Sequence, residues 1–276
     1  MTDRLIFKRD GVRLAALDFG GRGSTVLFLH GLAGYAGEWS ETASWLTKTH
    51  RAVALDARGH GDSDRRPADV SPAAQVGDVS FVIEQLVVER LAVGPVVLVG
   101  HSLGGLTALM VAAQRPELVR ALVLADAFPG DGGKGDESAT WIAETLRRWP
   151  VPFRTREAAA TYFAKRFESE PAGRVWAEGL AQTADGWRPR FDIDVMAETM
   201  RGMAERSTWP DWQAVKCPVL VARPGKGLLD AYTARKMGRH EQRIQIVELP
   251  DAHHDLHLDC PDKWRLMLAG FLRSVG

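Results

Sequence analysis

An α/β fold, with a mostly parallel sheet, helices on both faces and an inserted helical cap, is what this 276-residue sequence predicts. Three observations carry the prediction. Short runs of Val, Leu and Ile alternate with helical patterns along the chain. Those runs are apolar at nearly every position, which marks strands buried on both faces rather than strands with one wet face. Between Asp126 and Pro218 the alternation stops, and only helical patterns remain.

In order, Val12 to Phe19 reads as a strand and Thr25 to Leu29 (TVLFL) as a buried strand ending at His30-Gly31. The two are close enough in sequence to form a hairpin, so the leading edge is expected to be antiparallel. Trp39 to Thr47 reads as a short helix and Arg51 to Asp56 as a strand. Pro72 to Glu89 is a helix, with Val76, Val79, Ile83 and Leu86 close to helical period. The strand Val96 to Gly100, the helix Leu103 to Arg115 and the strand Ala121 to Ala125 follow. Pro218 to Ala222 and Ile244 to Leu249 are further strands, and Lys263 to Leu272 is the closing helix. No period of roughly 20 to 50 residues recurs, which excludes a repeat architecture.

Residues 129–213 are assigned to the cap, and residues 1–128 with 214–276 to the core domain. The cap opens on the glycine-rich turn Pro129 to Gly135. Phe163, Ala164 and Phe167 form one apolar stripe, and Met196, Met200 and Met203 form another. Five of the nine tryptophans fall here: Trp141, Trp149, Trp176, Trp187 and Trp209. Such residues commonly do no more than pack inserted helices. The segment as a whole is expected to be a lid with an apolar underside. Arg147, Arg148, Arg188 and Arg190 could face either solvent or an anionic substrate group.

Composition narrows the function. Hydrophobic residues make up 45% and charged residues 25%, and the 35 Lys+Arg balance the 35 Asp+Glu. No charge run supports a nucleic-acid or anionic-membrane partner. The two cysteines, Cys217 and Cys260, have neither metal-knuckle nor disulfide-framework spacing. The N-terminal residues are too charged for a secretory signal, so a cytoplasmic protein is expected.

The chemistry is carried first by Gly100-His101-Ser102-Leu103-Gly104. A G-x-S-x-G run is weak evidence by itself, but this one joins the pure strand PVVLVG directly to the helix LGGLTALMVAAQ. So sharp a strand-to-helix turn strains the serine and demands small residues two positions to either side, which Gly100 and Gly104 supply. Gly105 lets the helix pack close to the sheet. Ser102 is the expected nucleophile.

With LFLHGLAG at 27–34, LDARGHGDSD at 55–64, GHSLGG at 100–105, LVLADAFP at 122–129 and LPDAHHDLHLDCP at 249–261, nearly the whole chain resembles the α/β-hydrolase family, in its small ester-hydrolase branches. The resemblance implies a histidine base in the loop after the last strand. Aligning DLHLDCP assigns His254, with His253 standing where glycine is usual; His253 and His257 are the alternatives. It also implies oxyanion donors at the backbone N–H groups of Leu103 and Leu32, with His30 bracing the loop and Arg58 and the glycines of the 56–64 loop structural.

The acid of the triad is left open between two aspartates. The commonest family position falls near Gly227, where no carboxylate stands. Asp230 lies three residues later and is placed to cap the helix starting near Ala231. Asp126 ends an apolar parallel strand, on the side of the sheet where ligands bind in such folds. Asp126 is preferred and Asp230 is the alternative.

The expected activity is cleavage of a small carboxylic ester or lactone through an acyl-enzyme. No motif calls for a metal or an organic cofactor. Carbon–carbon bond hydrolysis and perhydrolysis by the same serine machinery, or a non-catalytic small-molecule receptor, are the other readings. Oligomeric state is not encoded in any recognisable pattern.

Overall fold

A computed structural model describes residues 2–239 and 243–275. Its main sheet has eight strands in the order β1-β2-β4-β3-β5-β6-β9-β10. These are β1 Asp3–Arg9, β2 Val12–Gly20, β3 Thr25–Leu29, β4 Arg51–Leu55, β5 Val96–His101, β6 Val119–Ala125, β9 Val219–Lys226 and β10 Ile244–His253. Pairing is parallel from β4 through β10, and antiparallel only where β2 meets β1 and β4.

The predicted hairpin between the first two apolar strands does not form. β2 pairs with β1 and β4, whereas β3 lies between β4 and β5. The two strands differ in burial: all five residues of β3 are buried, as in a strand covered on both faces, while β2, one strand in from the edge, is only partly buried towards its ends. The antiparallel partner is instead β1, a charged and half-exposed strand. It joins β2 through Asp10-Gly11, both with positive φ (49° and 82°), the conformation a two-residue hairpin turn requires.

Helices cover the two faces. α2 (Pro72–Val88) and α3 (Ser102–Gln114) pack Val79, Ile83, Leu86, Leu109 and Val111 against the Leu27, Leu98 and Leu122 face. α1 (Ser40–Leu46), the turn before it and α11 (Pro261–Val275) bury Leu46, Trp39, Trp264 and Phe271 on the opposite Phe28, Val97 and Val99 face. Neighbouring strand residues therefore feed different cores, the period-2 consequence of a doubly covered sheet.

Between β6 and β9 lie α4 (Gly135–Arg147), α5 (Arg156–Phe167), α6 (Glu170–Glu178), α7 (Ile193–Glu205) and α8 (Trp209–Ala214). The expectation that this region holds no strand fails: β7 (Ala181–Thr183) and β8 (Gly186–Arg188) form a small antiparallel ribbon. The cap has its own core of Ile142, Trp149, Phe153, Phe163 and Met196, whereas Met203 and Trp212 pack into the main core. Arg147, Arg148, Arg188 and Arg190 pair with Asp194, Glu144, Asp185 and Asp62 respectively. α9 (Ala231–Met237) and α10 (Leu256–Asp259) complete the chain. Among the described residues no helix is long and apolar enough to cross a membrane.

One buried ion pair ties the 56–64 loop to α2. Arg58 donates from Nε and Nη2 to both oxygens of Asp78, each at 2.6 Å, with both side chains under 5% exposed. Removing one partner strands the other's charge. Asp78→Ala is therefore expected to cost about 3–5 kcal/mol of folding stability, read from the urea midpoint.

Candidate active site

The turn from β5 into α3 holds Ser102 at φ 49°, in the left-handed region that a residue with a side chain adopts only under constraint. The constraint is lack of space. A Cβ on Gly100 would stand 2.4 Å from the Gly104 carbonyl oxygen, and one on Gly105 would stand 2.3 Å from Ala127 Cβ. Leu103 lies in the first turn of α3, where backbone N–H groups have no acceptor within the helix. Leu32 N–H also has no partner among the described residues.

The loop bearing Leu32 is braced from several sides. His30 Nε2 accepts from Ala57 N–H at 3.0 Å, so its proton is on Nδ1, which donates to the Gly31 carbonyl at 2.7 Å. His60 Nε2 accepts from Ala33 N–H, and Asp56 accepts from Ala36 N–H and Asp62 N–H. The 56–64 segment therefore acts on the loop through backbone hydrogen bonds, at a distance from Ser102.

Asp126 and His254 meet. Asp126 Oδ2 accepts from His254 Nδ1 at 2.6 Å. The carboxylate is 1% exposed and also accepts from Leu228 N–H and Leu229 N–H, each at 2.8 Å. Burial disfavours the imidazolium of His254, but the Asp126 bond and the nearby Asp255 charge outweigh it, and its pKa is raised. Asp230 stands elsewhere: exposed, it caps α9 by accepting from Thr233 N–H at 2.8 Å and Thr233 Oγ1 at 2.9 Å. The empty acid position has a physical account, because a Cβ on Gly227 would lie 2.4 Å from Asp126 Oδ2. Asp126 already fills that space.

His253 and His257 hold other places. His253 donates its N–H to Asp259 Oδ2 at 2.8 Å, and its ring lies 3.5 Å from the same oxygen. His257 is fully buried, stacked on Trp39 with ring centroids 4.2 Å apart.

Ser102, His254 and Leu32 line a cavity of about 400 Å³. Its far wall belongs to the cap: Trp141, Ile142, Leu146, Trp149, Phe167 and Met200. Trp176 also lines it and donates from Nε1 to Asp255 Oδ2 at 2.9 Å, joining α6 to the loop that carries His254. Arg166 and Lys226, both exposed, are the Lys and Arg side chains on its wall. None of the four cap arginines considered from the sequence lines it.

Glu38, His101 and His257 are the described carboxylate and imidazole groups near enough together to hold a metal ion. A proton shared among them would satisfy the same atoms. No sequence pattern marks this group, because Glu38 lies on a short 3-10 turn with no periodicity to show it as buried.

Comparison with known proteins identifies the family. The profile of the alpha/beta hydrolase family matches residues 26–265. The 2-(acetamidomethylene)succinate hydrolase of Mesorhizobium japonicum is 29% identical over 88% of this chain and 85% of its own. The sn-1-specific diacylglycerol lipase of Mus musculus is 28% identical over 90% and 80%. A crystal structure of E-2-(acetamidomethylene)succinate hydrolase superposes with a TM-score of 0.88 at 26% identity, covering 99% of this chain and 100% of that one. The chain belongs to the alpha/beta hydrolase family.

Proposed function

We propose that the protein hydrolyses a carboxylic ester or lactone with an apolar acyl or alcohol group, through an acyl-enzyme on Ser102. The observation that carries this reading is the 2.6 Å bond from His254 Nδ1 to Asp126, made at the edge of a cavity that Ser102 also lines. A base oriented in this way leaves Nε2 free to take the serine proton.

In this reading Ser102 Oγ attacks the carbonyl carbon as His254 Nε2 accepts its proton. Asp126 holds the ring and stabilises its cation. The negative charge on the carbonyl oxygen is met by Leu103 and Leu32 N–H groups, with the positive end of the α3 dipole behind them. Collapse expels the alcohol, which takes the proton from His254. Water, activated by the same base, then releases the acid.

The substrate class follows from the wall. Trp141, Trp149, Phe167, Trp176, Ile142 and Met200 offer apolar surface, which favours groups that gain by leaving water. A second reading is supported by the relative acting on 2-(acetamidomethylene)succinate, a dicarboxylate with an acetamido group. Arg166 and Lys226 at the wall could hold one carboxylate. The apolar lining favours the first reading.

Ser102→Ala is expected to lower kcat by a factor on the order of 10⁴ to 10⁶ with the fold intact by circular dichroism. Near-normal turnover would end the acyl-enzyme reading. Asp126→Asn should lower kcat by about 10⁴, because the imidazole loses its orienting acceptor. Asp230→Asn should leave kcat within about twofold and cost at most about 1 kcal/mol of stability from a weaker helix cap.

A panel of p-nitrophenyl esters decides the substrate class. Butyrate and phenylacetate esters should exceed the monosuccinate ester in kcat/KM by about tenfold or more, the value of roughly 1.4 kcal/mol of apolar contact. Preference for the succinyl ester, or turnover only of an N-acyl enamide, would support the second reading. A vinylogous diketone, and hydrogen peroxide as acceptor, test for carbon–carbon hydrolysis and perhydrolysis. Multiple turnovers of any substrate exclude a receptor.

A further inference from the structure

Directly behind the proposed triad lies a buried group of ionisable side chains that acyl transfer does not itself use. Glu38 sits in the 3-10 turn Ala36–Trp39 with its side chain 6% exposed. Its Oε1 is 3.4 Å from His257 Nε2 and 3.8 Å from His101 Nδ1. All three atoms are buried without a hydrogen-bond partner. The carboxyl also touches the loop after β3. The backbone N–H groups of Gly31 and Tyr35 favour its charged form, and a Cβ on Gly34 would lie 2.5 Å from its Oε2.

Donors and acceptors in this group can be counted. His101 Nε2 lies 3.0 Å from the His254 carbonyl, a contact that an N–H must make. A neutral His101 therefore turns the bare lone pair of Nδ1 toward Glu38 Oε1. Charging the ring instead is opposed by burial and by His254 and His257. Two acceptors facing one another in dry surroundings need a proton between them. The acid form of Glu38 supplies one. Its hydroxyl donates to His101 Nδ1 after a movement of about one ångström, and accepts from His257 Nε2–H. A directed chain then runs from His257 through Glu38 and His101 to the backbone of His254.

We propose that Glu38 is a positioning residue acting as a neutral carboxylic acid, tying the Leu32 loop to His101 and His257 while keeping negative charge away from the oxyanion. The proposal rests on the serine-hydrolase reading for its kinetic consequence, but not for the protonation itself.

Burial pushes the Glu38 carboxyl up to about 8, against the two N–H groups and His254. Of the groups facing it from the surrounding elements, His30, His101, His257 and Tyr35 do not titrate in its place. Burial holds His30, His101 and His257 neutral, and pushes Tyr35 up. Asp56 and Asp255 are the other carboxyls, both raised by burial, and His254 gives the rising limb of activity. Glu38 is neutral below its raised pKa and becomes an anion beneath the oxyanion loop above it. Activity is therefore expected to fall as pH rises through about 8.

The test is a pH profile of kcat between 6 and 10 with a p-nitrophenyl ester, beside infrared difference spectra between neutral and alkaline pH. Wild type should lose about tenfold in kcat above pH 8, with KM changed less than about twofold. Its spectrum should show the carbonyl stretch of a neutral carboxylic acid vanishing in step. Glu38→Gln, whose NH2 can donate to His101 Nδ1 and, with His257 in its other tautomer, to His257 Nε2, should keep about a third or more of the neutral-pH kcat and lose both the alkaline limb and the band. Asp255→Asn should keep both.

The infrared band persisting in Glu38→Gln, or its absence from wild type, overturns the proposal whether or not the esters are substrates. An alkaline limb unchanged in Glu38→Gln overturns it too. So does one equivalent of a transition metal that copurifies and is lost in Glu38→Gln, which would make the group a metal site.

Discussion

Nothing larger than hydrogen fits on the inner side of the turn from β5 to α3. A Cβ at Gly104 would stand 2.4 Å from the carbonyl oxygen of Leu29 and 2.5 Å from that of His30, the end of the neighbouring strand. This approach sets the height of α3 above the sheet. It puts Ser102 at positive φ, directs the N-terminus of α3 at the cavity, and brings the loop after β3 alongside that terminus. The serine, the two free N–H groups and the apolar cap wall meet because two backbones touch there. A methyl group at this point would separate all of them.

How much of this can be read from the chain depends on whether the signal is local. The parallel strands are legible because burial on both faces demands continuous apolar residues, as in TVLFL and PVVLVG. The order of strands is not, since β3 pairs with β4 and β5 instead of its sequence neighbour, a global property of the sheet. Both hairpins are absent from the sequence reading; β7–β8 turns on Ala184-Asp185, but β1–β2 turns on an Asp-Gly pair, Asp10-Gly11. The signal was there, but charged, half-exposed strands lack the apolar run that draws attention. Ser102 was legible because its constraint lies within five residues. Glu38 was not, because its partners His101 and His257 are far away in sequence.

The aspartates show the same distinction from another side. Asp126 and Asp230 are each placed at the C-terminal side of the sheet, and either is a reasonable acid by position alone. What separates them is the supply of donors. Asp230 spends its oxygens on the first turn of α9, a job local to its own sequence. Asp126 receives two backbone N–H groups from Leu228 and Leu229, in the loop where the acid more often stands. That loop thus contributes amides instead of a carboxylate, and Gly227 provides the space. In the proposed triad the acid follows β6 instead of β9, so position along the chain is a poorer guide than the hydrogen bond made to His254.

The cap argues for caution in carrying a relative's substrate across. By sequence its arginines could face either solvent or an anionic substrate group; in the fold Arg147, Arg148, Arg188 and Arg190 are each engaged with an acidic side chain. The surface that does face Ser102 is tryptophan, phenylalanine, isoleucine and methionine. A dicarboxylate brought into such a wall would lose hydration at both charges, at several kcal/mol per unpaired ion, and the two cations there, Arg166 and Lys226, are exposed to water that weakens their attraction. In the proposed reading the chain shares the fold of a succinate-derivative hydrolase while the helices inserted between β6 and β9 favour a less charged molecule. In this fold the sheet determines what chemistry is possible, and the inserted helices determine which molecules arrive to undergo it.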